Sequence, residues 1–585
     1  FDVSTPVVYM ATPTNNAGYR TLLTLSGTAT DNTMADSGMY QIEYSLYVDT
    51  GGYYRAGTKD FNGTTEYFNQ ARADVAGWSV WSTSGVPFVT GRRYYLALRG
   101  SDKAGNIQTL FTVGVNSATF TFDDTAPRSV VGFPPQGAVR SSVGNISGTA
   151  ADATSSVIHV GVSVGQIESD GTTSYFYQGA PGPGYRNTVI HSATEYFNPA
   201  VLPSPWTYAH ASLVYTTGKR YILRSYAVDS ANNAEDFTVI VASSFLYDAS
   251  TPQISGISSL TNQGYFRRIE PILGAAFDMP ASSAAGLAPF IDDGVQIRIQ
   301  DKQTTQWWSQ ASNLFNEGDS SNAWFRASAG TPGSWQYSET GELDFHMSTQ
   351  LASGRSYLLQ ARAKDTATPP NIGPYDGSSA IFTTGTDSFT IIMDTVPPQS
   401  VVEFPPTSLT RKYNAVGITE IYGTVADLLS GVTAMANVDV SIRESVPAGA
   451  YWNGAATFTL SSETFYPATA LVIGASSTTW RRGTLPAMQN GYTYTVRVRA
   501  RDAAVPGGNL QTTNISQASF VYDTERPTAT ITAPTGNPAN AFAQITGTSS
   551  DAFGVSVVSV TILQGTTEYW NGTSSFTSLT PVWVA

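Results

Sequence analysis

Carboxylates are the residues whose repetition in this sequence could do chemistry. Only 13% of the 585 residues are charged, yet Asp returns at three fixed places. The first is Asp-x-x-x-Pro behind an apolar residue: FDVSTP (Phe1–Pro6), FDDTAP (Phe122–Pro127), YDASTP (Tyr247–Pro252), MDTVPP (Met393–Pro398) and YDTERP (Tyr522–Pro527). Its aspartates are Asp2, Asp123, Asp248, Asp394 and Asp523, so successive copies lie 121, 125, 146 and 129 residues apart. The second is Gly-x-x-x-Asp, ending at Asp31, Asp152, Asp278, Asp427 and Asp551. The third is Gly-x-x-Tyr with an Asp eight residues after the Tyr: Gly91/Tyr94/Asp102, Gly218/Tyr221/Asp229, Gly354/Tyr357/Asp365 and Gly491/Tyr494/Asp502. Asp124 directly follows Asp123, so either could serve in the second copy. Carboxylates gathered at one point repel unless a cation neutralises them, and hard oxygen donors select Ca²⁺. The plainer role for each Asp is to cap the backbone N–H groups of a turn.

The same regularity argues against an enzyme, because a catalytic site should appear once and these carboxylates recur in every unit. There is no cysteine to act as a nucleophile. The four histidines, His159, His191, His210 and His346, have no metal-ligand spacing. No Gly-x-Ser-x-Gly elbow or phosphate-cradling loop is present. A net charge of −13 without Lys/Arg clusters excludes nucleic acid as a partner. No apolar run reaches the ~18–20 residues of a transmembrane helix.

The elements that must position these residues are strands. Aromatics make up 12% of the chain, with 31 Tyr, and no segment sustains a 3.6-residue apolar period. In GYTYTVRVRARD, Tyr492, Tyr494, Val496, Val498 and Ala500 alternate with Thr493, Thr495, Arg497 and Arg499, the period of a half-buried antiparallel strand. ASFVYD (Ala518–Asp523) follows as the closing strand. The chain exceeds one hydrophobic core, and its internal periodicity divides it. The spacing predicts modules 1–123, 124–248, 249–394 (the longest and most divergent) and 395–523, with a partial module 524–585 that is either truncated or completed by another chain.

Gly-x-x-Tyr before the penultimate strand is similar to the tyrosine corner of immunoglobulin-type sandwiches, whose hydroxyl bonds back to the preceding turn. The linker Asp-x-x-x-Pro, Gly-Thr-Ala-x-Asp and the turn Ala104–Gly105–Asn106 together resemble the bacterial Ig-like repeats of giant adhesins and surface-layer proteins. Altered forms of that turn are Ala231–Asn233, Gly507–Asn509 and, in the third unit, Asp365–Asn371. The resemblance implies an all-β fold of tandem immunoglobulin-like β-sandwich modules in a linear array. It brings the three aspartates of each unit to one pole: Asp2/Asp31/Asp102, Asp123 or Asp124/Asp152/Asp229, Asp248/Asp278/Asp365 and Asp394/Asp427/Asp502, with Asp523/Asp551 in the partial unit. It also carries Ca²⁺ onto these junctions.

Recurring aromatics are the second candidate group: Tyr451–Gly454 with Phe458, Tyr569–Gly572 with Phe576, Tyr53–Tyr54, Tyr175–Tyr177, Trp307–Trp308, and the later Trp206, Trp480 and Trp583. If exposed they could stack on glycans; because they repeat with the fold, they read better as hairpin packing. The sequence thus reads as an extracellular, cell-surface structural protein, a semi-rigid rod that assembles with copies of itself or other surface proteins. Two alternatives remain, the stalk of an adhesin and an accessory segment of a secreted carbohydrate-active enzyme.

Overall fold

The computed structural model describes residues 1–31, 37–168, 174–179, 184–188, 195–279, 286–289, 292–327, 329–331, 333–338, 347–374, 381–407, 412–434, 437–473, 478–535, 541 and 543–585. His191 and His346 lie outside them. Among the described residues there is no α-helix, and no helix is long and apolar enough to cross a membrane.

The first unit shows the plan. Its strands are β1 (Val7–Thr12), β2 (Ala17–Tyr19), β3 (Thr24–Thr30), β4 (Met39–Val48), β5 (Gly52–Arg55), β6 (Asp60–Gly63), β7 (Asn69–Gln70), β8 (Arg72–Ala73), β9 (Val80–Ser84), β10 (Arg92–Asp102) and β11 (Ser117–Phe122). One sheet runs β1-β3-β9-β8, the other β2-β11-β10-β4-β5-β6 with β7 beside β4. The chain changes sheets between β1, antiparallel to β3, and β2, parallel to β11. Side chains alternate along each strand, so apolar residues from both sheets meet in one core and polar ones face out. The pairing order recurs in the spans 124–248, 249–394 and 395–523, each with its own separate core. The chain is an all-β tandem of immunoglobulin-like β-sandwiches in a linear array.

Two motif residues are explained by this packing. The front-motif glycine sits directly across the ladder from a buried tryptophan: Gly27 and Trp81, Gly148 and Trp206, Gly274 and Trp335, Gly423 and Trp480. A methyl group on Gly423 would fall 1.9 Å from the Val401 carbonyl oxygen, so only glycine fits. The glycine of Gly-x-x-Tyr adopts positive φ, 78° at Gly91 and 83° at Gly491, where a β-carbon would be strained. Its tyrosine hydroxyl accepts the N–H of the residue five earlier: Val89, Thr216, Ala352 and Gln489, at 2.7–2.9 Å. The tyrosine corner expected from the sequence is therefore built four times.

The fifth span differs. Thr528–Ala533 pairs with Thr546–Ser550, and Leu563–Gln564, Glu568–Trp570 and Phe576–Ser578 form a second small sheet. Ile531, Leu563 and Trp583 are exposed there.

One substitution pattern within the repeat carries a pH dependence. Asp387 in the third unit occupies the place of Asn116 in the first. Each side-chain oxygen accepts a backbone N–H at 2.6 Å, from Thr383 and Thr112 respectively. Burial pushes the Asp387 carboxyl up to about 6 from an ordinary 3.8. A carboxyl whose folded pKa lies above its unfolded value costs stability once ionised, so its penalty grows as pH rises from about 4 to about 6. Asp387→Asn is expected to stabilise the third unit at pH 7 by on the order of 1–2 kcal/mol and not at pH 3.5. Calorimetric melting of the two proteins at both pH values checks this. Tyr494→Phe is expected to lower the stability of the fourth unit by about 1–2 kcal/mol, because the Gln489 N–H loses its acceptor.

Candidate cation sites at the unit poles

Each pole is assembled from three segments far apart in sequence. In the first unit the linker residue leads towards β1, the front-motif Asp follows β3, and the back-motif Asp ends the long penultimate strand β10. There β1 and β3 pair antiparallel, so the start of one lies beside the end of the other, and packing of the two sheets brings the end of β10 to the same pole. In four units one carboxylate oxygen from each of the three lies within 4.8 Å of the others: Asp2/Asp31/Asp102, Asp123/Asp152/Asp229, Asp248/Asp278/Asp365 and Asp394/Asp427/Asp502. The back-motif aspartates are buried in all four groups.

Asp124 does not belong. It is exposed and its N–H donates to the Thr90 hydroxyl, while its neighbour Asp123 is fully buried in the cluster. Successive residues on extended chain point to opposite sides, so only one of the pair can face the pole. Asp523 and Asp551 form no triad among the described residues; their oxygens accept the N–H groups of Glu525 and Phe553.

The carboxylates also cap turns, several through Oδ1 alone and Asp2 and Asp278 through both oxygens. Asp229 Oδ1 accepts the N–H groups of Ala231 and Asn233 at 2.8 and 2.9 Å, and Asp502 Oδ1 those of Ala504 and Asn509. Asp427 Oδ1 takes Leu429 and Gly431. Linker Oδ1 atoms accept from the Ser or Thr two residues on: Ser4, Thr125 and Ser250.

The Asn of the back turn is the functional residue that the motif reading recorded without a role. Its Nδ2 donates both to the back-motif carboxylate and to the linker carbonyl. Asn233 reaches Asp229 Oδ2 at 2.9 Å and the Asp123 carbonyl at 2.8 Å, and Asn509 reaches Asp502 Oδ2 at 2.7 Å and the Asp394 carbonyl at 2.8 Å. Asn106 and Asn371 make the same pair of bonds. Its recurrence in the Ala-Gly-Asn turn and the altered forms of that turn was the available signal.

The electrostatics are those of crowded negative charge. Burial first, and then the Asp248 charge, push Asp278 up to about 6. Burial raises Asp365 and Asp502 too, against the hydrogen bonds from Asn371 and Asn509. Burial would also raise Asp123, but the hydroxyls of Thr125, Ser155 and Thr90 hold it below the usual carboxylate value. Among the described residues Asp123 Oδ2 is buried and has no hydrogen-bond partner of ordinary geometry. An oxygen in that state is chemically matched to a hard cation.

The pole is also a junction. The linker N–H donates backwards into the preceding unit: Asp123 to Tyr19, Asp248 to Arg140, Asp394 to Phe266 and Asp523 to Tyr413, at 2.8–2.9 Å. The same segment of the preceding unit touches the back turn of the next. Arg20 donates to the Asn232 carbonyl at 3.2 Å, Thr368 N–H to Val139 at 3.0 Å, and Arg267 N–H to Val505 at 2.8 Å.

Most of the recurring aromatics are core residues, while Tyr53, Tyr175 and Tyr451 are half-buried. Trp206, Trp308, Trp452, Trp480 and Tyr177 are fully buried, whereas Trp583 is exposed. His159 packs on Tyr226 and His210 bonds the Tyr177 hydroxyl; neither joins a metal-binding group among the described residues.

No family model and no curated protein matches the chain. Solved structures do match it. The fibronectin(III)-like modules of Clostridium thermocellum CbhA are 13% identical, with 41% of this chain and 94% of theirs covered and a TM-score of 0.21. The chicken CNTN1 FN1–FN3 domains are 10% identical over 65% and 99%, with a TM-score of 0.20. Sidekick-1 immunoglobulin domains 1–5 are 8% identical over 89% and 99%, with a TM-score of 0.26.

Replacing Asn233 by Ala removes two hydrogen bonds to a buried pole. It is expected to destabilise the second unit by about 2–3 kcal/mol in chelator, read as a lowered unfolding midpoint for that unit alone.

Proposed function

We propose that this chain is a non-enzymatic extracellular structural protein, a rod of β-sandwich modules stiffened by Ca²⁺ where consecutive modules meet. The observation that carries this reading is the double membership of the linker aspartate: its N–H bonds the preceding unit and its carboxylate joins the acidic triad of the next. Asp123, Asp152 and Asp229, and their counterparts, would hold the cation through carboxylate oxygens, Asp123 Oδ2 among them, which has no hydrogen-bond partner among the described residues. Calcium there supplies neutralising positive charge and nothing catalytic. The residues do the rest: the Asn staple fixes the linker, the capped oxygens orient the carboxylates, and the docked back turn limits bending.

The rod belongs to a bacterial surface layer or filament on this reading, in which flat module faces meet copies of the chain. The resemblance of the linker and pole motifs to adhesin repeats supports it. The stalk of an adhesin uses the same mechanics and differs in presenting a distal ligand-binding domain.

Calcium titration tests the junction role. Extracellular modules bind Ca²⁺ at about 10⁻⁴–10⁻³ M, so 10 mM should stabilise each complete unit by roughly 1–3 kcal/mol over chelator. Unfolding midpoints are expected to rise accordingly, and Asp229→Asn to remove the rise for the second unit only. Chelator-insensitive melting of the wild-type chain would end the proposal.

A further inference from the structure

The outer face of the β4–β10–β11 sheet in the first unit carries a feature that its counterparts lack. In register across the three strands, Ser45, Ala97 and Ser117 form a row of small side chains. Two residues along lies a row of large ones, Tyr47, Tyr95 and Thr119, extended by Tyr53 on β5. On the other side of the small row stands the Arg99–Glu43 ion pair at 2.8 Å, with Arg99 stacked 3.8 Å above Phe68. The result is a cleft of about 530 Å³ across the strands, within the usual range for small-molecule sites. Its flanking rows are four residues apart, roughly 13 Å.

The position of Ala97, three residues after the corner tyrosine, explains why this row is open in the first unit. Its counterparts are Arg224, Gln360 and Arg497. Arg224 is buried against Glu195 at 2.6 Å. Gln360 bonds Arg298, which lies over Trp307 and Trp324 at 4.3 and 4.4 Å. Arg497 pairs with Glu463. In each case long side chains fill the row that Ala97 leaves shallow. The tyrosine row is equally local, since Tyr47, Tyr53 and Tyr95 become Gly165, Phe176 and Ile222 in the second unit, and Arg443, Tyr451 and Thr495 in the fourth. Repetition of the fold therefore does not account for this cleft.

We infer that the cleft binds a neutral saccharide chain. The three tyrosines are half-buried to exposed, with centroids 4.9 and 5.9 Å apart from Tyr47 to Tyr53 and Tyr95. They offer aromatic surface for the apolar C–H face of sugar rings. Asn15 and Asn16 turn their carboxamide oxygens toward Thr119, at 3.0 Å to its N–H and 2.8 Å to its hydroxyl. That leaves amide N–H groups at the cleft edge, and the floor adds the Ser45 and Ser117 hydroxyls, a neutral set of donors and acceptors suited to sugar hydroxyls. The charged groups about the cleft are Glu66 in its lining, the Arg99–Glu43 pair on one flank and Arg93 on the other, where it bonds the Asn16 carboxamide oxygen and the Thr119 hydroxyl; the signs balance, so nothing there selects a sulfated or uronic chain. An extended peptide has no strand edge to join here, since β10 is paired on both sides.

The site is independent of the junction calcium. The test uses the full chain, screened against immobilised neutral oligosaccharides (β-1,4- and β-1,3-linked hexoses and N-acetylhexosamines) beside sulfated and uronic chains, with solution affinity and oligomeric state measured for the strongest binder. Ala97→Arg restores the residue type that closes two other units, and Tyr47→Ala removes the central ring. Binding to a neutral saccharide that drops at least tenfold in both variants, with unchanged melting of the first unit, is the expected result. No neutral binder, preference for anionic chains, binding that survives both variants, or a change in self-association alone would each overturn the inference.

Discussion

The structure depends on one residue doing work in two modules. At each linker a peptide N–H completes the parallel edge of the sandwich behind, while the side chain of the same residue closes the acidic pole of the sandwich ahead. Three rotatable bonds separate the two attachments at most, so tilting one module against the next must break a backbone hydrogen bond or drag a carboxylate out of its triad. A flexible linker would decouple neighbours; these paired attachments oppose that.

Negative charge is the cost of that arrangement. Placing three carboxylates within 4.8 Å raises those that burial already disfavours, Asp278 most clearly. Turn N–H groups and the Asn staple offset part of the repulsion by donating to the carboxylates, at Asp229 to both oxygens, while Asp123 Oδ2 has no hydrogen-bond partner among the described residues. The capping role and the proposed cation role would be complementary uses of the same side chain. The pole is a well-formed turn system with surplus negative charge at its centre.

Much of this was legible in the sequence because the repeat holds residue types fixed where geometry is strict. The glycine facing Trp81, Trp206, Trp335 and Trp480 is fixed by a close approach, the positive-φ glycine by backbone strain, and the corner tyrosine by a buried hydrogen bond. Fixed spacing also located the three aspartates of each pole. Asp124 was not separable from Asp123 by spacing, since alternation along extended chain, which decides between them, needs the start of the strand. The Asn of the back turn was visible as a recurring letter, but its bond to a linker carbonyl more than 100 residues away was not. The cleft beside Ala97 was the least legible. It is defined by the absence of a long side chain, and only the cross-strand register shows which rows lie side by side.

The distance between neighbouring modules tests the mechanical coupling at the linker most directly. The chain has no cysteine, so Thr65→Cys in the first unit and Val214→Cys in the second place two unique spin labels on exposed positions. Pulsed dipolar spectroscopy with calcium is expected to give one narrow distance distribution, broadened by chelator and by Asp123→Ala. A distribution that is broad in saturating calcium, or that Asp123→Ala leaves unchanged, would contradict the account.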